Sequence, residues 1–218
     1  MVDRIFITGA QGQLGRQLVS SLTSAQVSII PIKSAVVLSV ETNTRLKAFL
    51  NEQFVSKISI NSSRPSVALI LAHRSRADDS LVMLRDELRM TRDLVYAFAE
   101  LCREVRVVVL GSVTGRQVDQ ASSEAYHYAK DLQKSIVRRS ILLPNLFMNL
   151  VELSWFVKHT TAADAEYVCA LDQARGNSPT GEVVEPRHIA DLCLRLLLVE
   201  RSPRGQVFAL DDGYSLMQ

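Results

Sequence analysis

The sequence predicts an α/β protein built on a doubly wound parallel sheet, with a small carboxyl-terminal lobe. Short apolar runs typical of buried strands alternate with longer segments of helical periodicity between residues 4 and 158. The runs at 67–72 and 105–110 contain almost no polar residue, which is typical of strands covered on both faces. Such alternation implies right-handed crossovers between parallel strands.

The elements are expected in the following order. Strands are predicted at 4–8, 27–32, 57–60, 67–72, 105–110, 140–143 and 206–210. Helices are predicted at 12–23, 44–54, 80–104, 122–135, 146–158 and 186–200. The last helix begins at Pro186, which suits a first helical turn, and has apolar residues at helical spacing. Residues 1–158 are expected to form the main domain, and residues 159–218 a small lobe packed on it.

Composition argues against several classes of protein. The chain has 218 residues and a net charge of +2 with no basic run, which argues against nucleic-acid binding. Its three cysteines, Cys102, Cys169 and Cys193, lack metal-ligand spacing and are expected to be reduced core residues. No apolar run approaches the roughly 20 residues that span a bilayer, and no signal-peptide pattern is present. A cytoplasmic protein without metal is therefore expected, with a homodimer left open.

The first predicted strand ends in a glycine-rich turn, Thr8-Gly-Ala-Gln-Gly-Gln-Leu-Gly15. In a Rossmann-like sheet the first glycine permits a tight turn, the second lets backbone amides approach a pyrophosphate, and the third lets the helix pack closely. The positive end of that helix then meets the phosphate charge. A strand–helix turn without ligand is the alternative. The residues assigned to the cofactor here are Gly9, Gln11, Gly12, Gln13, Leu14 and Gly15.

Residues that follow predicted strands are further candidates, because such sheets bind ligands at the carboxyl ends of their strands. Lys33 stands where NAD enzymes place an acid for the ribose, so it favours the 2′-phosphate of NADP, with NAD possible. A solvated strand end is the alternative for this lysine. The other cofactor candidates are Ala72, His73, Pro144 and Asn145. The substrate pocket is assigned to His73, Thr114 and Asn149.

Tyr126 and Lys130 lie four residues apart in a predicted helix and therefore on one face of it. An ammonium beside a phenol lowers the pKa of the phenol by stabilising the phenolate, so the tyrosine can exchange a proton with a substrate oxygen. Ser112 follows a buried strand and is placed to hydrogen-bond that oxygen. These three residues are the catalytic candidates; an ordinary amphipathic helix is the alternative.

The glycine turn, Ser112 and the Tyr126-x-x-x-Lys130 motif together resemble the short-chain dehydrogenase/reductase superfamily, in its extended and atypical branches. Segment 139–149 is similar to NmrA-like members, and segment 184–192 to both branches. The resemblance implies that Tyr126 is the acid/base and that Lys130 lowers its pKa and bonds the nicotinamide ribose. It also implies that Ser112 orients a substrate carbonyl, to which the nicotinamide gives a hydride.

Three departures from the family pattern stand out. Glu87 takes the place of a relay asparagine, the interval from Lys130 to Pro144 is short, and the carboxyl-terminal portion is small. The expected activity is NADP-dependent reduction of a small carbonyl substrate. A sugar-nucleotide reductase or epimerase remains open, because the glycine turn and residues 177–180 resemble dTDP-4-dehydrorhamnose reductase. A non-catalytic NADP-binding regulator and a redox-neutral cyclase or isomerase also remain open.

Overall fold

A computed structural model describes residues 4–24, 28–38, 42–55, 66–73, 79–112, 121–153, 186–198 and 203–210. Within these ranges six strands form one parallel sheet in the order β2-β1-β3-β4-β5-β6. The strands are β1 Ile5–Thr8, β2 Ile29–Ile32, β3 Ser66–Leu71, β4 Glu104–Ser112, β5 Leu146–Leu153 and β6 Val207–Leu210. The predicted fold class, a Rossmann-like parallel sheet, is confirmed.

Helices cover both faces of this sheet. They are α1 Gln13–Ser24, α2 Ser34–Leu38, α3 Thr42–Val55, α4 Ser80–Leu88, α5 Leu94–Leu101, α6 Ala121–Arg139 and α7 Pro186–Leu198. A π-helical turn, Arg89–Asp93, joins α4 to α5, and a 3₁₀ turn, Ser140–Leu142, follows α6. One face packs its apolar side chains against α3, α5 and α6, and the other against α1 and α7. Within the described ranges no helix is long and apolar enough to cross a bilayer.

Two predicted elements near residue 145 are wrong. The strand predicted at 140–143 is the 3₁₀ turn Ser140–Leu142, and the helix predicted at 146–158 begins instead as β5. The error arises because β5 is covered on both faces, so seven of its eight residues are buried or apolar and no alternation marks it as a strand. The strand predicted at 57–60 lies outside the described residues.

The predicted carboxyl-terminal lobe falls largely outside the described residues. Its described parts are α7, which packs against α1, and β6, which pairs in parallel with β5 at the edge of the sheet. These two elements therefore extend the main sheet and its helical layer.

The strand order reverses between β1 and β3, since the chain passes from β1 to β2 on one side and later to β3 on the other. Open parallel sheets bind ligands outside the carboxyl ends of their strands at such a reversal. Thr8, the last residue of β1, is level with Ile32 in β2 and with Leu71 in β3. Gly9, Lys33 and Ala72, which directly follow these three residues, therefore lie at the same edge of the sheet.

Candidate cofactor and active site

Two glycines of the turn after β1 are required by the fold itself. Gly9 has a φ of +69°, and a Cβ there would lie 2.3 Å from the carbonyl oxygen of Ala72. A Cβ on Gly15 would lie 2.0 Å from the carbonyl oxygen of Gly9, so a side chain would force α1 away from β1. Both positions therefore need glycine because backbone segments approach each other closely.

Gly12 is different, because the fold leaves space beside it. Among the described residues, the sole atom within 4 Å of a Cβ built there is the carbonyl oxygen of Gly9, at 3.1 Å. The Gly12 amide donates to that same oxygen at 2.8 Å, and the Gly12 carbonyl accepts from Arg16 at 3.0 Å. A cradle that a side chain would partly fill thus lies at the positive end of α1, which fits a pyrophosphate.

The rest of the turn contributes backbone groups and one cation, Arg16, that was not predicted. Arg16 is exposed, and its Nε donates to the carbonyl oxygen of Gln11 at 3.0 Å, so the guanidinium lies against the turn. Leu14 packs into the core between the sheet and α1. Gln13 begins α1, and its side chain is outside the described part. The sequence analysis missed Arg16, although a cation directly after the third glycine was a readable signal.

Lys33 is exposed directly after β2. Ile32, which precedes Lys33, is level with Thr8, which precedes Gly9. Its carbonyl oxygen accepts from the amide of Val36 at 2.9 Å and so begins α2. The predicted place of this cation, beside the glycine turn, agrees with the strand register.

His73 is buried at the end of β3 and faces two elements. Its Nδ1 lies 3.0 Å from the hydroxyl oxygen of Thr8, and its Nε2 lies 3.8 Å from Oε2 of Glu87 in α4. Burial lowers the pKa of His73 to about 4, and Glu87 opposes this shift only in part. The ring is therefore neutral near pH 7.

Lys130 belongs to a buried polar network between α6 and α4. Its Nζ donates to Oε2 of Glu87 at 3.0 Å and to Oε1 of Gln133 at 3.1 Å. The Gln133 amide donates in turn to Glu87 at 3.0 Å and to the Thr91 hydroxyl at 2.9 Å. All four residues are at most 3 % exposed, so the ammonium and the carboxylate compensate each other away from water.

The π-helical turn lies between α4, which contributes Glu87 to the buried network, and α5, which packs into the core. A π-helical turn contains an extra residue, which rotates the following helix relative to the preceding one. Glu87 and Thr91 both reach Gln133 on α6, whereas Leu94, after the turn, packs into the core. Sequence analysis missed Gln133 and Thr91. Their spacing, three after Lys130 and four after Glu87, was the available signal.

The backbone positions of Tyr126 and Ser112 are described. Tyr126 lies one turn before Lys130 on α6, and Ser112 ends β4, level with the last residue of β5, Leu153. Both positions are at or near the carboxyl edge of the sheet. The side chains of Tyr126 and Ser112 are outside the described part, and so is the whole of Thr114.

Three predicted site residues lie elsewhere. Pro144 and Asn145 precede β5 and therefore lie at the amino edge of the sheet, opposite the glycine turn. The Asn145 amide donates to the carbonyls of Ala99 and Cys102, at 2.8 and 3.2 Å. Their assignment to the cofactor rested on the wrongly predicted strand at 140–143 and is corrected here.

Asn149 is also misassigned, because it lies within β5 and is 1 % exposed. Its Nδ2 donates to the carbonyl of Pro203 at 2.9 Å, and its Oδ1 accepts from the amide of Gln206 at 3.2 Å. This side chain fixes the approach to β6 and does not line a substrate pocket.

Comparison with known families decides the classification. The model of the NAD dependent epimerase/dehydratase family matches residues 5–146, which include the glycine turn and the segment with Tyr126 and Lys130. The chain belongs to this family. As an epimerase/dehydratase family member it is an enzyme of NAD(P)-dependent oxidoreductase type, and its predicted nicotinamide dinucleotide cofactor is confirmed at the level of the family. A search of curated proteins finds no match.

Solved structures support the fold of this epimerase/dehydratase family member. A 3-alpha-hydroxysteroid dehydrogenase from Pseudomonas sp., solved with NADH, is 18 % identical with a TM-score of 0.69, over 96 % of this chain and 95 % of that one. A short-chain dehydrogenase/reductase from Serratia marcescens is 15 % identical with a TM-score of 0.70, over 98 % of both chains. A 3-oxoacyl (acyl-carrier-protein) reductase from Agrobacterium tumefaciens, with NADP bound, is 13 % identical with a TM-score of 0.66, over 98 % of this chain and 95 % of that one. These likenesses agree with the predicted fold class.

Proposed function

We propose that this protein reduces a small carbonyl substrate with NADPH. The observation that carries the proposal is the pairing of two features at the carboxyl edge of one sheet. An open cradle lies beside Gly12, and a buried ammonium, Lys130, follows Tyr126 by one helical turn. The first feature suits the binding of a phosphate, and the second places an ammonium one helical turn from the tyrosine that would transfer a proton to a substrate oxygen.

The roles follow from these positions. Gly12 and the amino end of α1 would hold the pyrophosphate, and Lys33 the 2′-phosphate. The bound nicotinamide supplies the hydride. Tyr126 would protonate the carbonyl oxygen, Ser112 would hydrogen-bond it, and Lys130 would favour the phenolate and contact the ribose. Thr114 remains our candidate for the substrate pocket.

The family match favours a second candidate, an epimerase or dehydratase acting on a sugar nucleotide. It would use the same dinucleotide cradle, with the nicotinamide reduced and reoxidised within one turnover. A regulator that binds NADP without turnover and a redox-neutral cyclase or isomerase are the remaining alternatives. A screen of aldehydes, ketones, quinones and nucleotide sugars distinguishes a reductase from all of these alternatives, since only a reductase consumes NADPH stoichiometrically.

We also propose a cytoplasmic location. Cys102 and Cys193 are both buried in the core of the described structure, and Cys193 is a free thiol. Burial raises the pKa of the Cys193 thiol to about 12, so it stays protonated and unreactive. Buried, unpaired thiols are typical of proteins from reducing compartments.

The cradle is tested by Gly12→Ala in a titration followed by nicotinamide fluorescence. We expect the wild type to bind NADPH, and Gly12→Ala to bind it about 10–100-fold more weakly, because a methyl group obstructs amide–phosphate hydrogen bonds. Stability in urea should change by less than about 1 kcal/mol, since among the described residues the added Cβ meets one atom, the carbonyl oxygen of Gly9 at 3.1 Å. Ser20→Ala, on the exposed surface of α1, is the control. Absence of binding to NADPH and NADH by the wild type would refute the proposal.

Lys33→Asp tests the choice between the two dinucleotides. Replacing a cation with an anion beside the 2′-phosphate should shift the ratio of NADPH to NADH affinity toward NADH by about tenfold or more. Lys47→Asp makes the same charge change on α3, where Lys47 pairs with Glu100, and should leave the ratio unchanged. A ratio that moves equally in both variants would assign the 2′-phosphate to another residue.

A further inference from the structure

The side chain of Arg16 is held against the glycine turn. Arg16 lies in the first turn of α1 and is exposed, and its Nε donates to the carbonyl oxygen of Gln11 at 3.0 Å. Its backbone amide donates to the carbonyl oxygen of Gly12, also at 3.0 Å. The Nε bond uses one of the five N–H donors of a guanidinium, and the other four are on the two Nη atoms. Arg16 is therefore bound to the turn through its backbone and through one edge of its guanidinium.

A second exposed cation, Lys33, follows the neighbouring strand. Thr8, which precedes the glycine turn, is level with Ile32, which precedes Lys33. Paired strands lie about 4.8 Å apart, so the turn and Lys33 begin from adjacent points of the sheet. The helix that carries Arg16, α1, also contacts β2. Both cations are therefore attached at the carboxyl ends of the same two strands.

Positive charge accumulates at this end of α1. The aligned peptide dipoles give the amino end of a helix a partial positive charge, so a cation in the first turn is electrostatically unfavourable. The first turn of α1 contains Arg16 and no acidic residue. This arrangement opposes the stability of the helix, but it favours the binding of an anion. A phosphate group, which accepts hydrogen bonds from several donors at once, is the anion that such a site suits.

We propose that Arg16 is a specificity-determining residue that binds the 2′-phosphate of NADPH together with Lys33. The proposal rests on the proposed function, in which NADPH is the cofactor and Lys33 meets that phosphate. Because the Gln11 carbonyl holds the guanidinium through Nε, the Nη donors bind phosphate oxygens with little further loss of side-chain freedom. NADH has a hydroxyl group in place of this phosphate, so the two cations favour NADPH over NADH.

Arg16→Gln tests the proposal in fluorescence titrations with NADPH and with NADH. Glutamine keeps a side-chain N–H donor and removes the charge. We expect NADPH to bind about tenfold more weakly and the affinity for NADH to stay within about twofold of the wild type. Arg16→Lys, which keeps the charge but not the planar group of donors, should have an intermediate affinity for NADPH. Arg139→Gln is the control, because Arg139 is an exposed arginine at the end of α6, at the amino edge of the sheet, and it should change neither affinity.

Combining Arg16→Gln with Lys33→Gln tests whether the two cations bind the same phosphate. The double variant should lose the preference for NADPH over NADH, because both charges that favour the 2′-phosphate are then absent. The urea midpoint of ligand-free Arg16→Gln should equal or exceed that of the wild type, since the substitution removes a cation from the amino end of α1. The same concentration of NADPH should raise the midpoint of the wild type more than that of Arg16→Gln.

The outcomes that contradict this inference differ from those that contradict the proposed function. Equal weakening of NADPH and NADH in Arg16→Gln would assign Arg16 to the pyrophosphate or to the structure of the turn, and would overturn the inference alone. An unchanged ratio of the two affinities in Arg16→Gln, or a preference for NADPH that persists in the double variant, would do the same. In each of these cases the wild type still binds NADPH. A wild type that binds neither dinucleotide would defeat the proposed function and the inference together.

Discussion

Tyr126→Phe is expected to lower turnover by about 10²–10⁴-fold, the usual contribution of a positioned acid or base. The hydroxyl is the group that would protonate the carbonyl oxygen, and phenylalanine removes it while retaining the ring. NADPH affinity should therefore stay within about twofold of the wild type, because ground-state binding does not use that proton. The measurement is loss of reduced-nicotinamide absorbance with the best substrate from the carbonyl screen, beside a fluorescence titration of the cofactor.

Tyr128→Phe is the matched control, since Tyr128 lies on the same helix but is 58 % exposed. Its turnover should equal that of the wild type. Equal turnover in Tyr126→Phe and Tyr128→Phe would remove Tyr126 from the mechanism. A parallel loss of NADPH affinity in Tyr126→Phe would instead indicate a structural role for the residue.

Glu87→Ala is expected to lower the free energy of unfolding by about 3–5 kcal/mol, the usual cost of removing one partner from a buried ion pair. The substitution would remove the carboxylate that pairs with Lys130, whose side chain is only 4 % exposed. The Gln133 amide would lose an acceptor at the same time. Urea unfolding followed by far-ultraviolet circular dichroism measures the change.

Glu100→Ala provides the comparison, because Glu100 pairs with Lys47 at 2.8 Å but is 61 % exposed. Its loss should cost at most about 1 kcal/mol, as for other surface pairs. The difference between the two variants is thus the effect of burial on pairs of similar length. Similar losses in both would show that the Glu87–Lys130 pair contributes no more than a surface pair.

The glycine turn could be predicted because its signal is local. Strand, turn and helix follow one another within residues 5–24, and each glycine has a steric or ligand-related reason that the sequence pattern already carries. The strand order then places Lys33 and His73 around the same turn, as expected from the rule that ligands bind at a reversal of strand order. These positions could therefore be predicted from local sequence patterns and the fold class alone.

The other side of the site depended on contacts that periodicity does not reveal. The sequence of β5 is compatible with a buried helix and with a buried strand. Because a helix was predicted, Pro144 and Asn145 were assigned to the wrong edge of the sheet, and Asn149 was assigned to a pocket although it lies within a strand. Glu87 appeared only as a departure from a family pattern. Its partnership with Gln133 depends on how α4 packs against α6, which no single segment of sequence encodes.

The packing of α7 on α1 has a consequence for the newly made chain on the ribosome. Ile5, Ile7 and Leu18 are synthesised early, yet they share their apolar layer with Ile189, Cys193 and Leu196 of α7. In the described structure the part of this face that α7 covers therefore stays exposed until translation has passed α7, and the edge of β5 stays unpaired until β6 emerges. During that interval the growing polypeptide exposes apolar surface and a free strand edge, the two features that chaperones recognise and that promote aggregation.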